Sequence, residues 1–240
     1  MSTLSIDLAS RRYEDIGVVI LCKATGRIRI TPIRLTAPEF VDRPNVETLV
    51  DKILEVAAKY AATTILLDGP QAWKANDNQN VYARSCEREL RAPGKTGLPG
   101  VTLPHTYLGF ISFSIQVFEA LASRTWKRLA TKDPQQATHC TVETFPTAAW
   151  RSIGMRPLPG RRRTTPSDIV TLTTKLQEGW NLYLQHQEIT HDELQATVAG
   201  LAGIALEEGN VGGLHFAGRS PFCDNGTCRE GFIVSPRTCA

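Results

Sequence analysis

No run of apolar residues in this chain approaches the ~20 needed to cross a bilayer, so no membrane-spanning helix is expected. The opening Met1-Ser2-Thr3-Leu4 carries no basic segment ahead of an apolar one, and no secretory leader is read from it. Common catalytic signatures are missing too. There is no Gly-x-Ser-x-Gly elbow to present a serine, no Gly-x-x-x-x-Gly-Lys-Ser/Thr phosphate loop and no Gly-x-Gly-x-x-Gly dinucleotide fingerprint. The five histidines are scattered and point to no triad. Cysteine is sparse, at 22, 86, 140, 223, 228 and 239, too dispersed for a disulfide framework; free thiols and a cytoplasmic location are the expectation. Aromatic residues make up only 7 %, with few pairs placed for stacking on unpaired bases. Neither sign of charge dominates: 27 Lys and Arg stand against 24 Asp and Glu, a net +3 that permits an anionic partner without requiring one.

What is present is ordinary globular material. A chain of 240 residues buries roughly 70 % of its unfolded surface on folding, and 42 % hydrophobic content supplies the core. Leu4–Ser10 reads as a strand with one carboxylate, Asp7, in its middle. Gly17–Cys22 is β-branched, and Arg27–Ile30 alternates basic and apolar; with the close turn at Lys23–Gly26 they make an antiparallel three-strand meander. Asn45 caps a helix that carries Val46, Leu49, Val50, Ile53, Leu54 and Ala57 at helical spacing. Thr63–Asp68 is an apolar strand that ends in a carboxylate and is stopped by Gly69-Pro70. A crossover helix before it makes it parallel to an earlier strand, with Asp68 at the carboxyl end where open α/β sheets hold ligands.

The remainder is read more coarsely. Residues 71–137 form an inserted region: loop-rich, with a short helix bearing Arg84, Arg88 and Arg91, then a helix over 109–130. Cys140–Phe145 is a strand with Glu143 inside it, closed by Pro146; 155–163 is a Pro/Gly/Arg loop. Thr165 and Thr190 open helices, with Asp168 and Glu193 at capping-box positions. Residues 209–240 are a Cys-containing tail, mostly loop, with one last short strand at 231–234. The whole reads as a single domain.

Four carboxylates stand out: Asp7, Asp68, Glu143 and Asp192, three in or ending strands and one in the first turn of a late helix. Gathered at one sheet edge they repel each other unless a cation binds, and Mg²⁺ or Mn²⁺ suits oxygen ligands. Each also has a local reading: Asp7 as a turn cap, Asp68 as turn chemistry before Gly-Pro, Glu143 as partner of a buried arginine, Asp192 on the helix dipole. Arg84, Arg88 and the run Arg161-Arg162-Arg163 can hold phosphates or simply face solvent. His215, Cys223, Cys228 and Cys239 are soft ligands of the kind structural zinc takes, though not at finger spacing.

Taken in order, Ser5-Ile6-Asp7-Leu8-Ala9-Ser10, Leu67-Asp68-Gly69-Pro70, the Arg84–Arg91 segment, Val142-Glu143-Thr144-Phe145-Pro146, His191-Asp192-Glu193-Leu194-Gln195-Ala196 and Glu230-Gly231-Phe232-Ile233-Val234-Ser235-Pro236 resemble domain-of-unknown-function family 429, whose members are identified as RNase H-like nucleases. The resemblance spans almost the whole chain. It implies an α/β fold with an RNase H-like mixed sheet, and phosphodiester hydrolysis of DNA or RNA assisted by divalent ions. In those roles Asp7 would bridge two ions, Asp68 and Asp192 would take one each, and Glu143 would add a ligand or orient water. The family's late helix reads His-Asp-x-x-Asp-Ala, and Gln195 stands where the second acid falls; an amide can contact an ion or a water but adds no charge. Two other functions compete. One is a non-catalytic nucleic-acid-binding or scaffold protein on the same fold, with Gln195 marking lost activity. The other is an ATP-binding phosphotransferase, whose first phosphate loop resembles Ile6–Ser10 but which needs a second such domain.

Overall fold

The computed structural model describes all residues except 37, 41, 134–138, 185–187 and 239–240. Its centre is a nine-stranded mixed sheet. Strands β1 (Ser2–Asp7), β2 (Gly17–Ala24) and β3 (Arg27–Pro32) form the antiparallel meander. Helix α1 (Val46–Lys59) crosses over to β4 (Thr64–Asp68), which lies parallel to β1. Asn45 caps α1 by accepting from the Thr48 N–H at 3.2 Å, and Leu49, Val50, Ile53, Val56 and Ala57 bury its inner stripe. An irregular stretch follows, with α2 (Ser85–Glu89) and the two-residue pair β5 (Lys95–Thr96) and β6 (Thr102–Leu103). Helix α3 (Leu108–Ser123), β7 (Lys127–Arg128) and β8 (Cys140–Thr144) lead back to the sheet, where β8 pairs parallel to β4. The chain closes with α4 (Pro146–Ser152), α5 (Pro166–Trp180), β9 (Leu182–Leu184), α6 (His191–Glu207), β10 (Leu214–Asp224) and β11 (Thr227–Pro236).

The strand order is β10-β11-β8-β4-β1-β2-β3-β9, with β7 beside β8. Its inner part, a meander β3-β2-β1 continued by parallel β4 and β8 with flanking helices, is the RNase H-like arrangement expected from the sequence. The strands alternate faces as a pleat demands. Leu4, Ile6, Ile65 and Leu67 pack with α1 and α3, whereas Val19 and Leu21 pack with α4, α5 and α6. Among the described residues no helix is long and apolar enough to cross a membrane.

Several sequence expectations change. The helix expected over 109–130 ends at Ser123: Thr125 takes a left-handed φ of 75°, and Trp126, only 8 % exposed, folds back into the core. Pro146 opens α4 as well as ending β8, because its missing N–H is no loss in a first helical turn. The expected tail loop is mostly a hairpin. Strands β10 and β11 turn at Asn225-Gly226, both with positive φ, and β11 joins β8. That hairpin also removes the zinc reading among the described residues. Cys223 and Cys228 face each other beside the turn, while His215 sits eight residues back along β10, roughly 25 Å away at strand rise, against Glu89 at 3.4 Å. Cys239 lies outside the described residues.

Candidate functional site

Because β1 and β4 run parallel in register, Asp7 is the direct neighbour of Asp68 at their carboxyl ends. The two side chains are near enough to hydrogen-bond when one carboxyl is protonated. Burial, the repulsion of Asp68, that hydrogen bond and the nearby Asp192 push Asp7 well above the usual carboxylate range, against the opposing pull of Arg161. Asp68 is pushed up to about 7, chiefly by burial and further by Glu143, with the bond to Asp7 working the other way. A pair of acids that cannot both ionise in this setting is short of positive charge.

Asp192 arrives from another part of the chain through close packing. Thr190 caps α6 in a reciprocal box with Glu193, at 2.7 and 3.3 Å, as the sequence predicts. The helix is buried almost all round, unlike an ordinary amphipathic surface helix. Small residues let it lie flat on the sheet: a Cβ at Gly200 would fall 2.4 Å from Leu21, and one at Gly203 2.2 Å from Thr3. At its first turn the fit is closer still. Gly17, the register partner of Asp7, has its missing Cβ position 2.2 Å from the Asp192 carbonyl group. The absent side chain is what lets Asp192 settle beside Asp7.

His191, which the sequence reading did not select, completes the group. Ligand atoms of Asp7, His191 and Asp192 lie within 4.8 Å of one another. The ring's Nδ1 faces Asp192 Oδ1 at 2.6 Å, and Nε2 faces the Pro159 carbonyl at 3.0 Å, so His191 both orients the acid and ties it to the 155–163 loop. Its signal in the sequence was its place directly before Asp192. The loop returns a cation: Arg161 Nη1 sits 3.3 Å from Asp192 Oδ2 and also pairs with Asp15. Arg11, Arg12, Glu14, Asp15, Arg161 and Arg162 surround Asp7 and Asp192 in an open bay of about 770 Å³. All three of Arg161, Arg162 and Arg163 are exposed, on a 3₁₀ turn rather than an irregular loop.

Glu143 is not part of this group. Its register partner is Leu67, so it points to the face that carries α3, away from the face shared by Asp7 and Asp68. Its carboxylate accepts from Arg84 Nη1 at 2.7 Å, from Arg84 Nη2 at 2.5 Å and from the Gln71 N–H at 2.9 Å. Arg84 corrects a second expectation. It is 0 % exposed and divided between Glu143 and Glu87, an internal counter-ion that cannot reach a nucleic-acid backbone. Arg88 is exposed on α2. Gln195 is settled by hydrogen bonding: Trp150 Nε1, a donor only, gives its proton to Gln195 Oε1 at 2.7 Å. That bond holds the amide oxygen toward Trp150.

No family model matches the chain, and no curated protein matches it. Among solved structures it is similar to Thermus thermophilus RuvC, at 10 % identity and a TM-score of 0.43, covering 88 % of this chain and 98 % of that one. A second similarity, with the same identity, TM-score and coverage of this chain and 97 % of the other, is to T. thermophilus RuvC in complex with Holliday junction substrate.

Proposed function

We propose that the protein is a divalent-ion-dependent nuclease of the family-429 kind, with Asp7, Asp68 and Asp192 as its metal-holding carboxylates. The observation that carries this reading is the convergence of acids at one sheet edge: Asp7 and Asp68 side by side in register, and ligand atoms of Asp192 and His191 within 4.8 Å of one of Asp7. The three carboxylates offer oxygen donors, which suits Mg²⁺ or Mn²⁺ rather than a soft ion, and His191 is a nitrogen donor beside Asp7 and Asp192. Two such ions, when bound, activate a water and stabilise the leaving oxygen of a phosphodiester. The chain's own residues do the rest. Asp7, beside both other acids, would hold an ion together with them, and His191 orients Asp192. Arg162, with Arg11 across the bay and Arg163 beside it, supplies positive charge to hold the phosphate backbone of DNA or RNA, while Arg161 stays paired with Asp15 and Asp192.

Cleavage of labelled DNA and RNA should depend on Mn²⁺ or Mg²⁺, stop in EDTA, and fall by more than about a hundredfold in Asp7→Asn, since outer-shell changes at metal sites alone cost tenfold to a hundredfold. Undiminished cleavage by Asp7→Asn rejects the site. A second reading, a nucleic-acid-binding protein without catalysis, is favoured by two observations: Gln195 Oε1 is taken by Trp150, and Arg161 already serves as the cation beside Asp192. In that case binding is equal with and without EDTA and no cleavage accompanies it.

A further inference from the structure

Beside the carboxylates lies a second opening that the chemistry above does not use. It is a cleft of about 150 Å³ bordered by Asp68 and by the mutually paired Arg84, Glu87 and Glu143, with Tyr107, Phe110, Phe145 and Pro93 forming its larger apolar part. Tyr107 is 40 % exposed although its ring lies in this wall, and the rest of the lining is mostly buried or half-buried. Two glycines let the aromatic walls close in on the backbone. A Cβ at Gly94 would strike the Tyr107 ring at 2.8 Å, and one at Gly69, where φ is 144°, would meet Ser114 Oγ at 2.5 Å and the Phe110 ring at 3.2 Å.

Size, walls and place together restrict the occupant. An apolar cavity of about this volume takes up a benzene ring, well short of the several hundred Å³ that a drug-sized ligand fills. A partner's helix or strand is excluded on the same ground. Aromatic and proline walls suit a flat ring, and Asp68, which borders the cleft, is the register neighbour of Asp7.

We propose that this cleft receives one unstacked nucleobase, that of a nucleotide next to the phosphate held at Asp7, Asp68 and Asp192. This rests on the nuclease reading and adds a substrate class to it: single-stranded or splayed nucleic acid, because a base inside a duplex cannot turn into the cleft.

Binding decides the matter separately from cleavage. Fluorescence anisotropy in EDTA, with the full chain, compares a labelled ten-nucleotide single strand, the same strand made wholly abasic, and a blunt duplex of equal length. The expected order is single strand tightest, with the abasic strand weaker by about tenfold, the scale of one base stacked on aromatic rings. Tyr107→Ala should lower affinity for the intact strand about tenfold and leave the abasic strand unchanged, and Tyr107→Phe should restore the loss. Circular dichroism and thermal melting check that both variants fold. Equal affinity for intact and abasic strands, or a Tyr107→Ala variant that folds and binds like the parent, overturns the inference. If Asp7-dependent cleavage is nonetheless seen, the nuclease reading stands without the base cleft; if base-dependent binding is seen without cleavage, the cleft stands and the nuclease reading falls.

Discussion

At the scale of single residues, the Asp7–Asp68 pair makes the protein's stability respond to pH in a definite direction. In the unfolded chain both acids titrate near 3.9. In the folded chain Asp68 is raised to about 7 and Asp7 is raised as well. Between about pH 4 and pH 7 the native state therefore binds more protons than the unfolded state, and stability falls as pH rises through that window. The Asp68 share of this stabilisation is complete below about pH 4 and gone above about pH 7. Chemical denaturation in EDTA should show a lower midpoint at pH 8 than at pH 5. Asp68→Asn, which removes one ionisable partner, should flatten that slope and exceed the parent's stability at pH 8 by about 1–3 kcal/mol. A slope unaltered by the substitution would mean the pair is not its source. Glu143 is raised by burial too, but its Arg84 partner opposes this and remains in place in the Asp68 variant, so the comparison isolates the aspartates.

At the scale of elements, the site depends on how closely α6 rests on the sheet, and Gly17 is the most demanding point of that contact. Any side chain there meets the backbone of Asp192 and Glu193, which has no rotamer with which to move aside. Gly17→Ala should cost about 1–3 kcal/mol, the usual price of overpacking. It should also separate Asp192 from Asp7 and so weaken Mn²⁺ binding measured by calorimetry, whereas Gly26→Ala, at an open turn, should leave ion binding unaltered. If Gly17→Ala binds Mn²⁺ like the parent, α6 is not seated as described. The same contrast shows which elements could be read from sequence. Helix α1 and the starts of α5 and α6 announced themselves through Asn45, Thr165 and Thr190, since caps are local chemistry. Strands β1 to β4 and β8 were legible from apolar runs. Strand β9 was not, because three residues pairing with β3 carry no periodicity of their own. The β10–β11 hairpin was missed despite its Asn225-Gly226 turn, since Gly213, Gly218, Pro221 and Gly231 make the flanks look like loop. For the site, Asp7 and Asp68 followed from strand order, but the fate of Glu143 depended on Arg84, fifty-nine residues away, and no local pattern encodes such a partner.

At the scale of the whole molecule, the fold sorts charge that the composition hides. A net +3 over 240 residues is nearly neutral, yet the carboxyl ends of β1 and β4 gather acids in a floor while Arg11, Arg12, Arg161 and Arg162 border the bay above them. An acidic floor alone would repel a polyanion; a basic border alone would bind one without positioning it. Arg162 and Arg163 are exposed on the turn beside the bay and make no ion pair among the described residues, whereas Arg161 is engaged with Asp15 and Asp192. The first two are therefore the cations with charge to give to a phosphate backbone. Each phosphate contact releases condensed counter-ions and contributes roughly −0.7 to the slope of log affinity against log salt on single strands, or roughly −0.9 on duplex. Replacing Arg162 and Arg163 together with alanine should make that slope shallower by about 1.4 on a single strand, with weaker binding at low salt and little difference at high salt. Arg88→Ala offers the control, since Arg88 is exposed on α2 and does not line the bay. A double variant that keeps the parent slope would move the backbone track elsewhere on the surface, because an arginine that neutralises no phosphate cannot change the number of ions released.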